Sequence, residues 1–242
     1  MYKVITHTIK EEHFTHPATA EYALSGGHMG NAHVYGGHMG GHMGNVMART
    51  SAIVGEFNTP MALLYRAHIK DCVESYIGNL RGELVSIHGT GEEVALLEQR
   101  IVKSIEDLVA KLTPYYNTNI TSTVKQALID YSMELMNLVR AHKDGRSTSD
   151  AEAKIAQKMT AIADFLPSIN PHWVKEDLVM YFNCLTDAFK NQSIARKAKN
   201  WADDQKELDN ARECATTGTA QGPSLSQYIA RGVISQYPMK FR

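Results

Sequence analysis

The chain has 242 residues, enough to bury a sizeable core as one large domain or two smaller ones. Its 25 basic and 26 acidic residues leave a formal net charge of −1, so there is no global electrostatic reason to bind nucleic acid or an anionic membrane, and no nucleic-acid partner is expected. No run of about eighteen apolar residues exists to span a bilayer, and Cys72, Cys184 and Cys214, odd in number and without a C-x-x-C pair, fit a reducing compartment, by default the cytoplasm.

The chain opens with a short strand-like pattern, Met1 to His7, which lacks the apolar core of a signal peptide. Tyr22 to Ala48 then contains no Asp, Glu, Lys or Arg, and Gly-His-Met followed by glycine occurs in it three times, around His28, His38 and His42. The stretch holds eight of the 17 glycines, and seven of the 11 histidines fall within the first 42 residues. Gly-His-Met is also a remnant of vector cloning, but such remnants belong at a terminus.

Two conformations compete for this segment. Glycine costs about 1 kcal/mol against alanine in a helix, which favours a loop. The angular pattern favours a helix from about Ala23 to Phe57. At about 100° per residue, Gly26, Gly30, Gly37, Gly41, Gly44, Ala48 and Gly55 form a narrow ridge. Met29, Met39, Met43 and Met47 share a second face, and His28, Tyr35, His38, His42 and Arg49 a third. Such a ridge lets backbones approach closely, whether against another helix, a second copy of the chain or a flat cofactor.

Both conformations permit a metal. On a helix, His38 and His42 stand at i and i+4, where two imidazoles can share a zinc or copper ion, and His28 lies farther along the same face. In a loop, each His-Met pair offers a nitrogen and a thioether sulfur, a set that suits copper(I). The expected metal site is therefore His28, His38 and His42 with Met29, Met39 and Met43, with copper favoured over zinc or nickel.

From Thr59 the pattern is helical. Thr59-Pro60 reads as a cap and first position, followed by Leu64, Cys72, Tyr76, Leu80 and Leu84 on one face as far as Ile87. Thr90 and Glu93 have capping-box spacing ahead of Val94, Leu97, Ile101, Ile105, Leu108 and Leu112, a stripe that stops before Pro114. Thr123 and Gln126 repeat the spacing after a polar loop, with Val124, Leu128, Tyr131, Leu135 and Leu138 behind them and an end at Lys143 to Arg146. A shorter helix runs from Ser149 to Pro167. Asn170-Pro171 starts a fifth, whose apolar part ends near Phe189 and whose charged continuation, Arg196 to Arg212, reads as a solvated face or an arm against a partner subunit. Thr216 to Pro223 reads as a linker, and a last short helix spans about Ser224 to Ser235.

The expected architecture is all-α: a multi-helix bundle (59–214) behind a Gly/His/Met-rich N-terminal segment (1–58), with a C-terminal linker and short helix (215–242). Other chemistry is sparse. His68, Asp71, Cys72 and Glu74 could complete a metal site, and Cys184 with His172 could form a nucleophile and base. No Glu-x-x-His occurs, so a di-iron bundle is a poor match, and no nucleotide-binding glycine motif is present. Lys190 to Lys199 could meet phosphates, but Asp203, Asp204 and Glu207 follow and cancel much of that field. Three functions follow: a copper-binding helical protein, a self-assembling homo-oligomeric scaffold joined through the glycine ridge, or a helical enzyme with a metal or flat cofactor against the ridge.

Overall fold

The computed structural model describes residues 58–219 and 222–242. Seven α-helices account for most of them: α1 (Pro60–His88), α2 (Val94–Leu112), α3 (Thr118–Asp144), α4 (Ser149–Ile169), α5 (Lys175–Lys197), α6 (Trp201–Arg212) and α7 (Leu225–Gln236). A π-helical turn, Glu213–Thr217, follows α6, and a 3-10 turn, Pro238–Phe241, follows α7. No strand occurs among the described residues, only an isolated bridge between Thr219 and Gly222. The all-α bundle expected from periodicity is the observed architecture. The Gly/His/Met-rich segment lies outside the described residues.

α1 is the central element, packing against α2, α3, α5, α6, α7 and the π-turn. Thr59 caps it by accepting from Ala62 N at 3.2 Å, with Pro60 in the first turn. Its buried face is Ala62, Tyr65, Ile69, Val73, Tyr76, Leu80, Leu84 and Ile87. Leu64, expected on that face, is 52% exposed. At 100° per residue it lies about 80° from Cys72, whereas Tyr65 is in phase.

The helices pair as antiparallel hairpins. Across α1 and α2, Tyr65 OH reaches Lys111 O and Asn79 Nδ2 reaches Arg100 O, so rising numbers meet falling ones. α3 and α4 pair through Asp130 and Lys158, and α5 and α6 through Gln192 with Glu207 and Arg196 with Asp204. α3 runs parallel to both α1 and α5, as Tyr76–Ser132, Glu83–Arg140, Tyr131–Thr186 and Ser193–Val139 contacts show.

Three boundaries differ from expectation, each for a local reason. Gly89 and Gly91 spend their N–H groups on Ser86 O to close α1, so α2 starts only at Val94, with Glu93 as its cap and no box to Thr90. Asn117 caps α3 by accepting from Ile120 N at 3.0 Å, moving its start before Thr123, whose hydroxyl bonds back to Asn119 O. Pro167 sits within the last turn of α4, which runs on to Ile169. A proline there still removes its own N–H bond to the preceding turn, but only the final residues of the helix lie beyond it to be displaced.

The expected long helix through Arg212 is also broken. Lys199 adopts a left-handed φ of 57°, Asn200 caps α6 by accepting from Asp203 N, and α6 folds back along α5. Gly145, at the expected end of α3, has φ 69° and closes that helix through N–H bonds to Ala141 O and His142 O, a conformation glycine adopts without strain.

The C-terminal residues join the same apolar core. Tyr228, Val233, Ile234 and Phe241 are at most 2% exposed. Gly232 lies under Trp173, where a Cβ would stand 2.0 Å from the indole Nε1, so only glycine permits this approach. Phe241 stacks on Tyr115 with ring centroids 5.3 Å apart and contacts Tyr65 at 5.1 Å. Thr59 Oγ1 donates to Phe241 O, joining the start of the bundle to its end. No helix among the described residues is long and apolar enough to cross a membrane.

Candidate functional site

The six residues expected to bind metal, His28, Met29, His38, Met39, His42 and Met43, lie outside the described residues. The second candidate does not assemble. On α1, Cys72 turns into the core and its thiol pKa is raised by burial, while Asp71 and Glu74 face solvent and His68 is half-buried. Among the described residues no three His, Cys, Asp or Glu side chains converge on a point that could hold a metal ion.

Cys184 does not sit beside His172. It lies about 13 Å of helical rise along α5 from Lys175. His172 precedes that helix, its backbone N–H bonded to Asn170 Oδ1 at 2.9 Å. The neighbour of Cys184 is instead Cys214, on the π-turn after α6, whose Sγ donates to Tyr181 O at 3.6 Å, one helical turn before Cys184. A sequence signal existed. Both cysteines are fifteen residues from Lys199, and positions equidistant from a helical reversal face one another. The reversal itself was not read from the sequence.

The densest set of titratable side chains within the described residues lies where α1, α2, α3, α5 and α6 meet. Asp204 accepts from Arg81, with Nη2 to Oδ2 at 2.6 Å and a second contact from Nη1, and also pairs with Arg196 at 3.1 Å. Arg81 Nη1 additionally donates to Gln192 Oε1 at 2.8 Å. Asp204, read from sequence as part of a solvated face, is 5% exposed at its side chain. Nearby, Arg140 Nη2 donates to Glu83 at 2.7 Å and to Glu98 at 2.6 Å. His88 Nε2 meets Ser193 Oγ at 2.9 Å, and burial, with Arg196 beside it, lowers its pKa.

Glu83 is the most perturbed of these groups. Burial pushes its carboxyl up to about 7, against the pull of Arg140 and with the help of Glu98. Its Oε2 is buried without a hydrogen-bond partner among the described residues, which adds to the cost of ionisation. A perturbed carboxyl beside an arginine is the kind of group active sites use. Here, however, the side chain is 0% exposed, so it presents nothing to a substrate.

The basic run that could have met phosphates is engaged internally: Lys190 with Glu152 at 2.6 Å, Arg196 with Asp204, and Lys197 with His142 O at 2.7 Å. A cavity of about 60 Å³ lies among α2–α5 and α7, walled by Leu112, Leu128, Phe165, Trp173, Phe182 and Ile229 among other apolar side chains. Ligand pockets run to roughly 300 Å³ and above, so this is a packing void rather than a binding site.

Comparison with protein-family models, with curated proteins and with solved structures finds no match to this chain.

Proposed function

We propose that this is a metal-binding helical protein, with copper favoured over zinc or nickel as its metal, acting through His28, His38 and His42 with Met29, Met39 and Met43. The observation that carries the reading is the threefold Gly-His-Met-Gly unit within a stretch that has no Asp, Glu, Lys or Arg. Without carboxylates the donor set is imidazole and thioether, which favours copper(I) over the hard cations that oxygen ligands hold. Glycines on either side of each pair let the backbone approach the ion closely. The helical body from Thr59 onward is the platform that carries the segment. Its three cysteines are free thiols, consistent with a cytoplasmic setting.

The test is elemental analysis of protein purified without a His tag or nickel column, before and after anaerobic incubation with copper(I). Near-stoichiometric copper is expected, lost in the His38→Ala/His42→Ala double variant while far-UV circular dichroism stays helical. Protein that takes up no copper under these conditions removes the reading.

A second reading is a homo-oligomer assembled through the glycine ridge. It is favoured by Met61, Leu63 and Leu64, all at least half exposed in the first turns of α1, directly after the ridge segment. Light scattering on Gly37→Leu and Gly41→Leu separates the two readings. Loss of assembly with copper binding intact supports the ridge as an interface, and an unchanged mass eliminates it.

A further inference from the structure

We propose that Cys184 and Cys214 form a peroxide-responsive dithiol, in which a hydroperoxide oxidises Cys184 and Cys214 closes the disulfide. The pair is a product of the fold. α6 folds back on α5 at Lys199, and the π-turn Glu213–Thr217 then directs Cys214 at the α5 backbone, its thiol donating to Tyr181 O at 3.6 Å. Cys184 stands one turn beyond Tyr181 on the same helix, and a helical side chain leans back over the turn before it. The Cys214 thiol is thereby placed against the same turn of α5 over which the Cys184 side chain leans.

This arrangement differentiates the three thiols. The neighbouring Cys214 thiol lowers the Cys184 pKa against the opposing effect of burial, while Cys184 beside it and its own burial hold Cys214 well above the usual thiol range. Cys184 is half-buried, so a small peroxide can reach it, whereas Cys214 is 2% exposed and Cys72, 9% exposed on α1, has its pKa raised by burial. A reachable thiol of lowered pKa beside a second, resolving cysteine is the arrangement that favours reversible oxidation.

The chemistry balances with the hydroperoxide as sole oxidant. The Cys184 thiolate attacks one peroxide oxygen, the O–O bond breaks, and the leaving alkoxide takes a proton to give an alcohol, with sulfenic acid left on Cys184. The Cys214 sulfur then attacks the sulfenic sulfur. An S–S bond forms, the S–O bond breaks, and hydroxide departs with the Cys214 proton as water. Two thiols lose two electrons and two protons, and the hydroperoxide is reduced to alcohol and water.

The experiment is peptide mapping by mass spectrometry of reduced, chelator-treated full-length protein after one equivalent of hydrogen peroxide. A Cys184–Cys214 crosslinked peptide, lighter by two hydrogens than its parts, is expected, with Cys72 still alkylatable. Cys214→Ala is expected to stop at a dimedone-trappable sulfenic acid on Cys184, and Cys184→Ala to slow thiol loss about tenfold. Oxidation of Cys72 ahead of Cys184, or a wild-type protein in which Cys184 is trapped by dimedone without the crosslink, overturns the proposal. The wild-type map alone decides this even where a variant fails to fold.

Discussion

The two ends of α1 are stabilised by different physics. Tyr65, near its start, sits in an aromatic cluster with Tyr115 and Phe241, extended by Tyr116, Trp173 and Tyr237. About 24 to 27 Å of helical rise later, Arg81 and Glu83 sit in a layer of ion pairs with Asp204, Arg196, Arg140 and Glu98. The aromatic end gains by removing apolar area from water, and its few polar groups are closed on one another. Tyr116 OH donates to Gln236 Oε1 and accepts from Asn170 Nδ2, both at 2.8 Å. The polar end must offset the desolvation of several charges, so its stability depends on which of them are ionised. Between acid and neutral pH one end is therefore indifferent to pH and the other is governed by it.

The sharpest way to break this contrast is to remove the ring that closes the aromatic end. Phe241→Ala is expected to cost about 4 kcal/mol, and urea unfolding of the variant should show the same loss at any pH between acid and neutral. At the other end, Asp204→Asn strands Arg81 and Arg196 together without a carboxylate. A loss of about 3 kcal/mol is expected by the same measurement, growing smaller as salt screens the two guanidinium groups.

The ion-pair end also responds to pH through Glu83. The Glu83 pKa is raised from 4.5 to about 7 in the folded protein. Below about 4.5 both folded and unfolded states hold the proton and the contribution is fully favourable. Between about 4.5 and about 7 the unfolded chain ionises first, and stability is lost as pH rises, with the loss complete above about 7. A change on the order of 2 kcal/mol is expected, less than the full shift implies because Arg140 and Glu98 still touch water. Unfolding of Glu83→Gln at about pH 5 and about pH 8 should lack this slope relative to wild type, and an identical slope in both proteins removes Glu83 as its source. The smallest effect belongs to neither end: the Lys175–Asp164 pair is about half exposed, and Lys175→Met is expected to change stability by under about 0.5 kcal/mol.

How legible the molecule was follows the same division. Caps and apolar periodicity, such as Thr59-Pro60, Gly145 and the Ile101–Ile105–Leu112 stripe, are local signals, and six expected helices, the short one from Ser224 included, lie in roughly the right positions. What escaped was non-local. Thr90 with Glu93 and Thr123 with Gln126 satisfy the spacing of a capping box, yet neighbouring residues had already committed the chain to close α1 or to open α3 earlier. Asn200 followed by Asp203 and Asp204 was a readable helix start, hidden in a run of charges that looked continuous. Once that reversal is known, the burial of Asp204 and the meeting of Cys184 with Cys214 both follow from it. The basic ending gave no hint that Lys240 would lie over Tyr115 and Tyr237 and carry Phe241 into the core. The residues expected to bind copper remain a matter of composition and spacing, tested by metal analysis.

The hydrogen bond from Thr59 to Phe241 O makes the chain path of the helical body nearly circular. Its first and last residues are neighbours, so the order in which the helices are connected is not fixed by packing. A permuted chain, with residue 242 joined to residue 58 by a short flexible linker and new ends cut at the exposed Gly145–Arg146 corner, retains every helix pair described above. Such a protein would present its termini beside the ion-pair layer instead of the aromatic cluster, and a cooperative unfolding transition in it would show that the bundle is specified by its faces and not by its thread.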